Sequence, residues 1–263
     1  MPVTDITDIL QEFEPITLGE MESVKLMNRI DTKYAIPLSL LPRLLHLAKD
    51  QYYAQQIGSR RIATYDTVYF DTADLEMYIR HHDQQLVRQK IRVRQYVESD
   101  LTFLEIKRKN NKGRTKKKRM PIQELSLDHA TDEIREFLSS KSQYTLDNIS
   151  KALRTEFERI TLVNRQKTER LTIDLNLHWT NLRNLHDKRI PELVIVELKR
   201  DGNCPSPMLS IMNRLRVKPL KLSKYCIGTA LTDEHVKRNR FKKKIRCISK
   251  LTNQTNQLLH NTL

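Results

Sequence analysis

The sequence predicts an α+β fold whose core is an antiparallel β-sheet closed into a barrel. Two observations predict it. Segments that alternate apolar with charged or polar residues follow one another through short turns, as hairpin strands do. Helix-period segments fall between only some of these pairs, so the pattern is not the regular strand–helix alternation of a parallel sheet.

Taken in order, "LSLLPRLLHLAKDQ" has leucines at helical spacing and Ser39 as candidate N-cap. "RIATYDTVYFDT" is a strand rich in Thr, Tyr and Val. "QKIRVRQYV" and "DLTFLEIKRK" are strands joined by the turn "ESD", and "NNKG" makes a second hairpin into "RTKKKRMPI". "TDEIREFLSS" and "LDNISKALRTEF" read as short helices, then "RITLVNRQKT" and "ERLTIDLNLHW" as a strand pair and "ELVIVELKR" as a strong strand. "SPMLSIMNRLR" is a helix with Ser206 capping, Pro207 at the first helical position and Met208, Ile211, Met212 and Leu215 on one face. "KLSKYCIGTAL" closes the domain, taken as residues 1–232. Residues 233–263 form a basic tail or appended helix: "HVKRNRFKKKIRCISK", then the polar "LTNQTNQLLHNTL".

Composition narrows the function. The chain has 263 residues, a net charge of +15 and only five glycines. The charge calls for a polyanionic partner, while the lack of GxxxxGK[ST] and GxGxxG leaves glycine-rich phosphate loops unsupported. No run approaches the ~18 apolar residues of a membrane span, and the acidic start lacks a signal-peptide pattern. A cytoplasmic protein is expected, at the inner face of a membrane if the basic tail meets one. Cys204, Cys226 and Cys247 show no CxxC spacing and suit reduced thiols. Aromatics, at 6%, do not interleave with the basic rows, which argues against nucleic acid.

The strand faces carry the chemistry. Lys90, Arg92 and Arg94 oppose Ile91 and Val93; Glu105, Lys107 and Lys109 oppose Leu104 and Ile106. Glu197 and Lys199 oppose Val196 and Leu198; Arg170, Thr172 and Asp174 oppose Leu171 and Ile173; Arg29, Asp31 and Lys33 oppose Ile30 and Thr32. Two architectures fit: charged faces turned to water, or charged faces turned inward around a ligand. Solvated faces usually mix Lys with Glu. Here Lys90, Arg92, Arg94, Lys107, Lys109, Lys117 and Arg119 crowd three successive strands with one main acidic companion, Glu105. An inward arrangement would need a polyanion, with the few carboxylates suited to Mg²⁺ or Mn²⁺. His81-His82-Asp83 reads as a surface turn, Asp66 and Asp71 as turn caps or metal contacts, and Trp179 as packing.

The stretches "NRIDTKY", "TVYFDT", "KIRVRQY", "FLEIKRK", "GRTKKKR", "VNRQKTERLTIDLNL", "VIVELKR" and "KLSKYCIG" resemble, in order and spacing, the polyphosphate polymerase domain of the vacuolar transporter chaperone (VTC) complex and its bacterial relatives, among the triphosphate tunnel metalloenzymes. The resemblance runs from about Phe13 to Ala230. It implies a tunnel of eight antiparallel strands, with surrounding helices, that moves the γ-phosphoryl of ATP to a growing polyphosphate with the help of Mn²⁺ or Mg²⁺. Carried over, Arg92, Arg94, Arg165 and Arg170 would grip the reacting phosphates, and Lys33, Lys107, Lys117, Ser223 and Lys224 would bind substrate. Glu197 matches the metal carboxylate, with Glu105 and Asp174 added from their facing. Partners would be ATP, polyphosphate or triphosphate, and a membrane partner through the tail. Two departures stand out. Val163 occupies the place, two before Arg165, where the family commonly has Tyr, and simple alternation turns Lys224 away from Ser223 unless a bulge intervenes. A tripolyphosphatase or nucleoside triphosphatase of the same fold, and a polyphosphate or inositol-phosphate binding module without turnover, are the alternatives.

Overall fold

The structure is a computed structural model that describes residues 5–22 and 29–253. The elements in chain order are α1 (Ile6–Gln11), β1 (Glu14–Ile16), α2 (Leu18–Glu22), β2 (Arg29–Pro37), α3 (Leu41–Ala48), β3 (Tyr52–Gln55), β4 (Ala63–Asp71), α4 (Glu76–His82), β5 (Arg88–Tyr96), β6 (Leu101–Lys109), β7 (Thr115–Ile122), α5 (Asp132–Lys141), β8 (Ser150–Asn164), β9 (Glu169–Asn181), β10 (Asp187–Ile190), β11 (Leu193–Asp201), α6 (Pro207–Arg214), α7 (Lys224–Thr232) and α8 (Lys242–Leu251).

Eight strands run in the order β2-β11-β9-β8-β4-β5-β6-β7, each pair antiparallel. β3 and β10 pair with β8 and β9, and β1 adds to β3 in parallel. The expected α+β architecture is therefore present, but the barrel is not closed by hydrogen bonds: β2 and β7 end the path without pairing to each other. The sheet nevertheless rolls. Lys90 on β5 donates to Ser223 Oγ at 2.7 Å, and the backbone N–H of Leu220, three residues earlier, donates to the carbonyl of Lys33 on β2. One short segment thus spans from the first strand of the path to the sixth.

The apolar rows face outward under helices. Ile160, Leu162, Leu171, Ile173, Val194, Val196 and Leu198 pack with residues of α1, α3 and α6. Ile91, Val93, Leu104 and Ile106 pack with Met77, Leu138 and Tyr144. On the inner face, one end is filled by Tyr65, Leu153, Phe157, Trp179 and Ile195 against Tyr225, Cys226 and Ile227 of α7. Phe241, Ile245 and Ile248 bring α8 into the same apolar cluster; residues 254–263, the polar end of the tail, lie outside the described residues. Among the described residues no helix is long and apolar enough to cross a membrane.

Several expectations are corrected. "LDNISKALRTEF" is not a helix: one 3₁₀ turn (Leu146–Asn148) leads into β8, the longest strand. Its backbone is claimed on both sides by β4 and β9, and tertiary pairing overrides the local propensity. Ser39 lies in a 3₁₀ turn, and α3 starts after Leu40 with Pro42 in its first turn. "KYCIGTAL" is a helix capped by Ser223, whose side chain accepts from the Cys226 N–H. His81-His82-Asp83 ends α4 instead of forming a surface turn, and His82 is fully buried beside Tyr78 and Phe241. Ser206 caps α6 by accepting from Leu209 N–H, Trp179 is packing, and Asp71 caps the turn into α4, accepting from Thr72, Met77 and Tyr78 N–H.

α7 lies so close to the sheet that a Cβ on Gly228 would stand 2.2 Å from Trp179 Cδ1. Trp179 cannot retreat readily: it is fully buried and its Nε1 donates to the Lys224 carbonyl at 3.1 Å. Gly228→Ala is expected to cost about 1–3 kcal/mol by overpacking, read as a lowered midpoint in denaturant unfolding; an unchanged midpoint would mean that α7 does not seat on Trp179.

Candidate functional site

Charged residues of β2, β5, β6, β7, β8, β9 and β11 share the inner face, to which β4 adds Tyr65, Thr67 and Tyr69. Along β5 and β6, Arg92 lies opposite Glu105 and Lys90 opposite Lys107, and along β7 Lys117 lies opposite Lys107. Along the other wall, Asp174 on β9 is opposite Arg159 on β8, and Glu197 on β11 is opposite Lys33 on β2 and Thr172 on β9. That the two walls face each other is seen in their electrostatics: the Lys107 amine on β6 is pulled by the Glu197 carboxylate on β11, and Tyr69 on β4 feels Lys224.

Three inward carboxylates each hold two cations, and a fourth, Asp31 on β2, is more exposed and pairs with Arg29 at 2.7 Å. Glu105, fully buried, accepts from Arg92 Nε at 2.7 Å and Nη2 at 2.5 Å, and also pairs with Lys117. Asp174, 2% exposed, accepts from Arg159 Nε at 2.6 Å and Nη2 at 3.0 Å, and pairs with Lys224. Glu197 lies between Lys199 at 3.1 Å and Lys33 at 3.6 Å. Burial opposes the charge on each, yet the neighbouring cations win and hold all three below the usual carboxylate range: Arg92, Arg94 and Lys117 for Glu105; Arg159 and Lys224 for Asp174; Lys33, Lys199 and Arg159 for Glu197.

Cations remain that no carboxylate serves. Arg94, 6% exposed, donates only to Thr67 Oγ1 at 3.0 Å, and its guanidinium lies over the rings of Tyr65 and Phe157. Among the described residues Lys107 makes no ion pair; the Arg92 charge, then burial and Arg94, push its amine well below the ordinary lysine range. Lys90 has Ser223 but no carboxylate, and Arg170 has one long bond to the Met21 carbonyl at 3.4 Å while its Nε is buried without a partner. Burial, and then Arg159 and Lys33, outweigh Asp174 and bring the Lys224 amine down to about 8. Burial would raise the Tyr69 hydroxyl, but Arg92, Arg94, Lys90 and Lys224 lower it to about 8.

Of the residues singled out in the sequence, Arg92, Arg94, Lys33, Lys107, Lys117, Ser223, Lys224, Arg170, Glu105, Asp174 and Glu197 lie on this shared face or at its rim. Arg165 does not. It sits in the turn after β8, donating to Glu14 at 2.7 Å and to the Asp50 carbonyl, over the Tyr53 ring. The residue on β8 that does point inward is Arg159, and the aromatic expected two places before the inward Arg is Phe157, under the Arg159 guanidinium at 5.3 Å. The aromatic-x-Arg spacing was thus in the sequence, six residues earlier, across the junction between the stretch read as a helix, which ends at Phe157, and the strand reading that begins at Arg159. Lys224 needs no bulge, because the first turn of α7 carries it. Asp66 faces outward and is held by Arg154. Tyr69 and Lys199 also belong to the face; neither has a sequence signal beyond its alternation.

The inward carboxylates differ in what they could offer a divalent metal. Among the described residues no three His, Cys, Asp or Glu side chains converge, and every oxygen of Glu105 and Asp174 is engaged by a cation. Glu197, with the longest contacts, is the inward carboxylate with a lobe to offer. One carboxylate completed by phosphate oxygens suits Mg²⁺ or Mn²⁺; an all-protein cage does not exist here.

The depressed carboxylates give a signed expectation. Their stabilisation is complete above the unfolded carboxylate range, near pH 4, and is lost as pH falls toward the lower folded values. Asp174→Asn leaves Arg159 and Lys224 buried without their anion, and is expected to cost about 3–5 kcal/mol and to weaken the acid dependence in urea unfolding. A variant as stable as the parent at neutral pH would contradict the pairing.

The VTC domain family model matches residues 28–233. No curated protein matches the chain. Among solved structures, a candidate adenylate cyclase from Vibrio parahaemolyticus aligns with a TM-score of 0.47 and 9% identity, over 78% of this chain and 99% of that one. A candidate adenylyl cyclase from Hippeastrum, described as having a dominant triphosphatase activity, aligns with a TM-score of 0.47 and 13% identity over 77% and 95%. A candidate adenylate cyclase from Bacillus halodurans aligns at 0.44 and 14% over 75% and 96%. At these scores the family match, not the structural likeness, carries the assignment.

Proposed function

Because the chain belongs to the VTC domain family, we propose that it is a metal-dependent phosphotransferase that moves the γ-phosphoryl of ATP onto a growing polyphosphate chain held along the basic inner face. The observation that carries this reading is the cation surplus: with Glu105 and Asp174 each paired to two cations and Glu197 between Lys33 and Lys199, Arg94, Lys107, Lys90 and Arg170 form no ion pair among the described residues. A linear triphosphate supplies several negative charges in a row, matching sites that lie on successive strands.

In this reading Arg92 and Arg94 grip non-bridging oxygens of the transferred phosphoryl by their forked N–H groups, backed by the Tyr69, Tyr65 and Phe157 rings. Arg159 and Arg170 hold the phosphates along the opposite wall. Lys33, Lys107, Lys117 and Lys224 neutralise the charge that builds as the P–O bond to the leaving group lengthens. Ser223 Oγ already bonds Lys90 and fixes the start of α7, so it orients Lys224 toward the chain. Mg²⁺ or Mn²⁺ bound by Glu197 and phosphate oxygens would supply Lewis-acid polarisation of the transferred group.

The same carboxylates favour polymer growth over hydrolysis. A water nucleophile needs a base, and Glu105, Asp174 and Glu197 are all held below the range in which a carboxylate accepts a proton readily. A terminal phosphate oxygen is already anionic and needs no such help. Incubation with ATP and Mn²⁺ is expected to yield a ladder that stains for polyphosphate on a gel; phosphate release without a ladder would identify a triphosphatase, and tight triphosphate binding with neither product a sensor.

Arg94→Ala is expected to lower kcat by about 10²–10³, or roughly 2.7–4 kcal/mol, with its fold intact because Glu105 keeps its direct pairs with Arg92 and Lys117; full activity would remove it from the site. Tripolyphosphate affinity is expected to fall as pH rises through about 8, since Lys224 then loses its positive charge and Tyr69 gains a negative one. Isothermal titration across that range checks the sign, and a rising affinity would contradict it.

A further inference from the structure

Beyond the central cluster, a second group of cations gathers where β2, β5, the 220–223 segment and α8 meet. Lys90 is bonded to Ser223, and Leu220 N–H to the Lys33 carbonyl, so Lys221 between them lies beside β2. Lys244 of α8 feels Lys221, with its amine over the Phe241 ring at 5.5 Å. Arg88, two residues before Lys90 on the same face of β5, gives its Nη1 to the Gln85 carbonyl at 2.5 Å. Among the described residues none of Arg88, Lys90, Lys221 and Lys244 is ion-paired to a carboxylate.

His81 reports the same field independently. Its Nδ1 is buried with no hydrogen-bond partner. Burial first, and then four cations, Lys90, Arg88, Lys244 and Lys33, press its ring toward the neutral form, down to about 2. Four half-buried cations around a ring whose Nδ1 is unpartnered describe a place short of anions. It is continuous with the central face through Lys33 and Lys90, and it opens to solvent at Lys221. From there α8 continues outward with Lys242, Lys243, Arg246 and Lys250 exposed and no acidic residue in its length.

We propose that Arg88, Lys221 and Lys244 form a second phosphate-binding subsite, which takes the units of a linear polyphosphate that extend past those held centrally. The proposal rests on the reading of the inner face as a polyphosphate site, and deepens it by assigning the residues that take the units beyond the central three. A nucleoside would gain little here, because the exposed side of this subsite presents ammonium and guanidinium groups and no free aromatic face: the Phe241 ring is buried among Tyr78 and His82.

The test compares tripolyphosphate with a longer linear polyphosphate by isothermal titration, using the full chain and the double variant Arg88→Gln with Lys244→Gln. The parent is expected to bind the longer chain more tightly per molecule. The double variant should lose about tenfold in affinity for the longer chain, the worth of two half-exposed charge-assisted contacts, while keeping its affinity for tripolyphosphate; the retained binding also shows that it folds. Equal loss for both ligands, or loss for neither, overturns the subsite. Failure of the parent to bind tripolyphosphate would instead overturn the central reading.

Discussion

Everything in this molecule turns on an imbalance of buried charge. Glu105, Asp174 and Glu197 stand inside a rolled sheet, and each is flanked by a pair of cations. Those clusters satisfy themselves. The remaining guanidinium and ammonium groups do not, and like charges at close range in a poorly hydrated interior repel strongly. The fold tolerates them through aromatic faces: Tyr65 and Phe157 lie under both Arg94 and Arg159, and Phe157 also under Lys224. It tolerates them also by lowering proton affinity, as at Lys107 and Lys224. Neither device removes the demand for anions.

The architecture serves that demand. Strand alternation sends every second side chain inward, so one long row per strand is available for charge while the other row packs under α1, α3, α5 and α6. The sheet rolls without sealing its β2–β7 seam, which leaves β7 with its exposed lysines as one edge. α7 fills the apolar end of the interior and presents Ser223 and Lys224 at its start to the charged end. Asp71 fixes that helix from behind through the Tyr225 hydroxyl, in addition to capping α4. Asp71, read as a turn cap or a metal contact, thus acts on the site through its hydrogen bonds.

Much of this was legible in the sequence, and the gaps have physical causes. Period-two alternation gave the faces of β2, β5, β6, β9 and β11 correctly, because each strand has one polar row and one strongly apolar row. β8 was misread in its first half because "KALRTEF" has charges and apolar residues at spacings that suit a helix as well, and only its two neighbours force it to extend. The inward arginine was placed at Arg165 by the resemblance, although Arg159 opened the stretch read as a strand; the structure ties Arg165 to Glu14 at the surface. α7 was misread because a Ser cap followed by Lys-Tyr-Cys-Ile gives no helical polarity: nearly all its residues are buried. Pairing of the carboxylates could not be read at all, since which cations reach Glu105 or Asp174 depends on strand neighbours far apart in the chain. That pairing is what separates carboxylates suited to hold the interior together from Glu197, the one with coordination to spare.

The account stands or falls on whether the interior lacks anions as the cation surplus requires. The direct measurement is the unfolding midpoint of the full chain in rising tripolyphosphate, set against sodium chloride at matched ionic strength. The account predicts that tripolyphosphate raises the midpoint progressively, by mass action on a folded-state site, while the chloride series leaves it nearly unchanged. Equal effects of the two salts would mean that the inward cations see only the general ionic atmosphere, and would contradict the claim that they form a site.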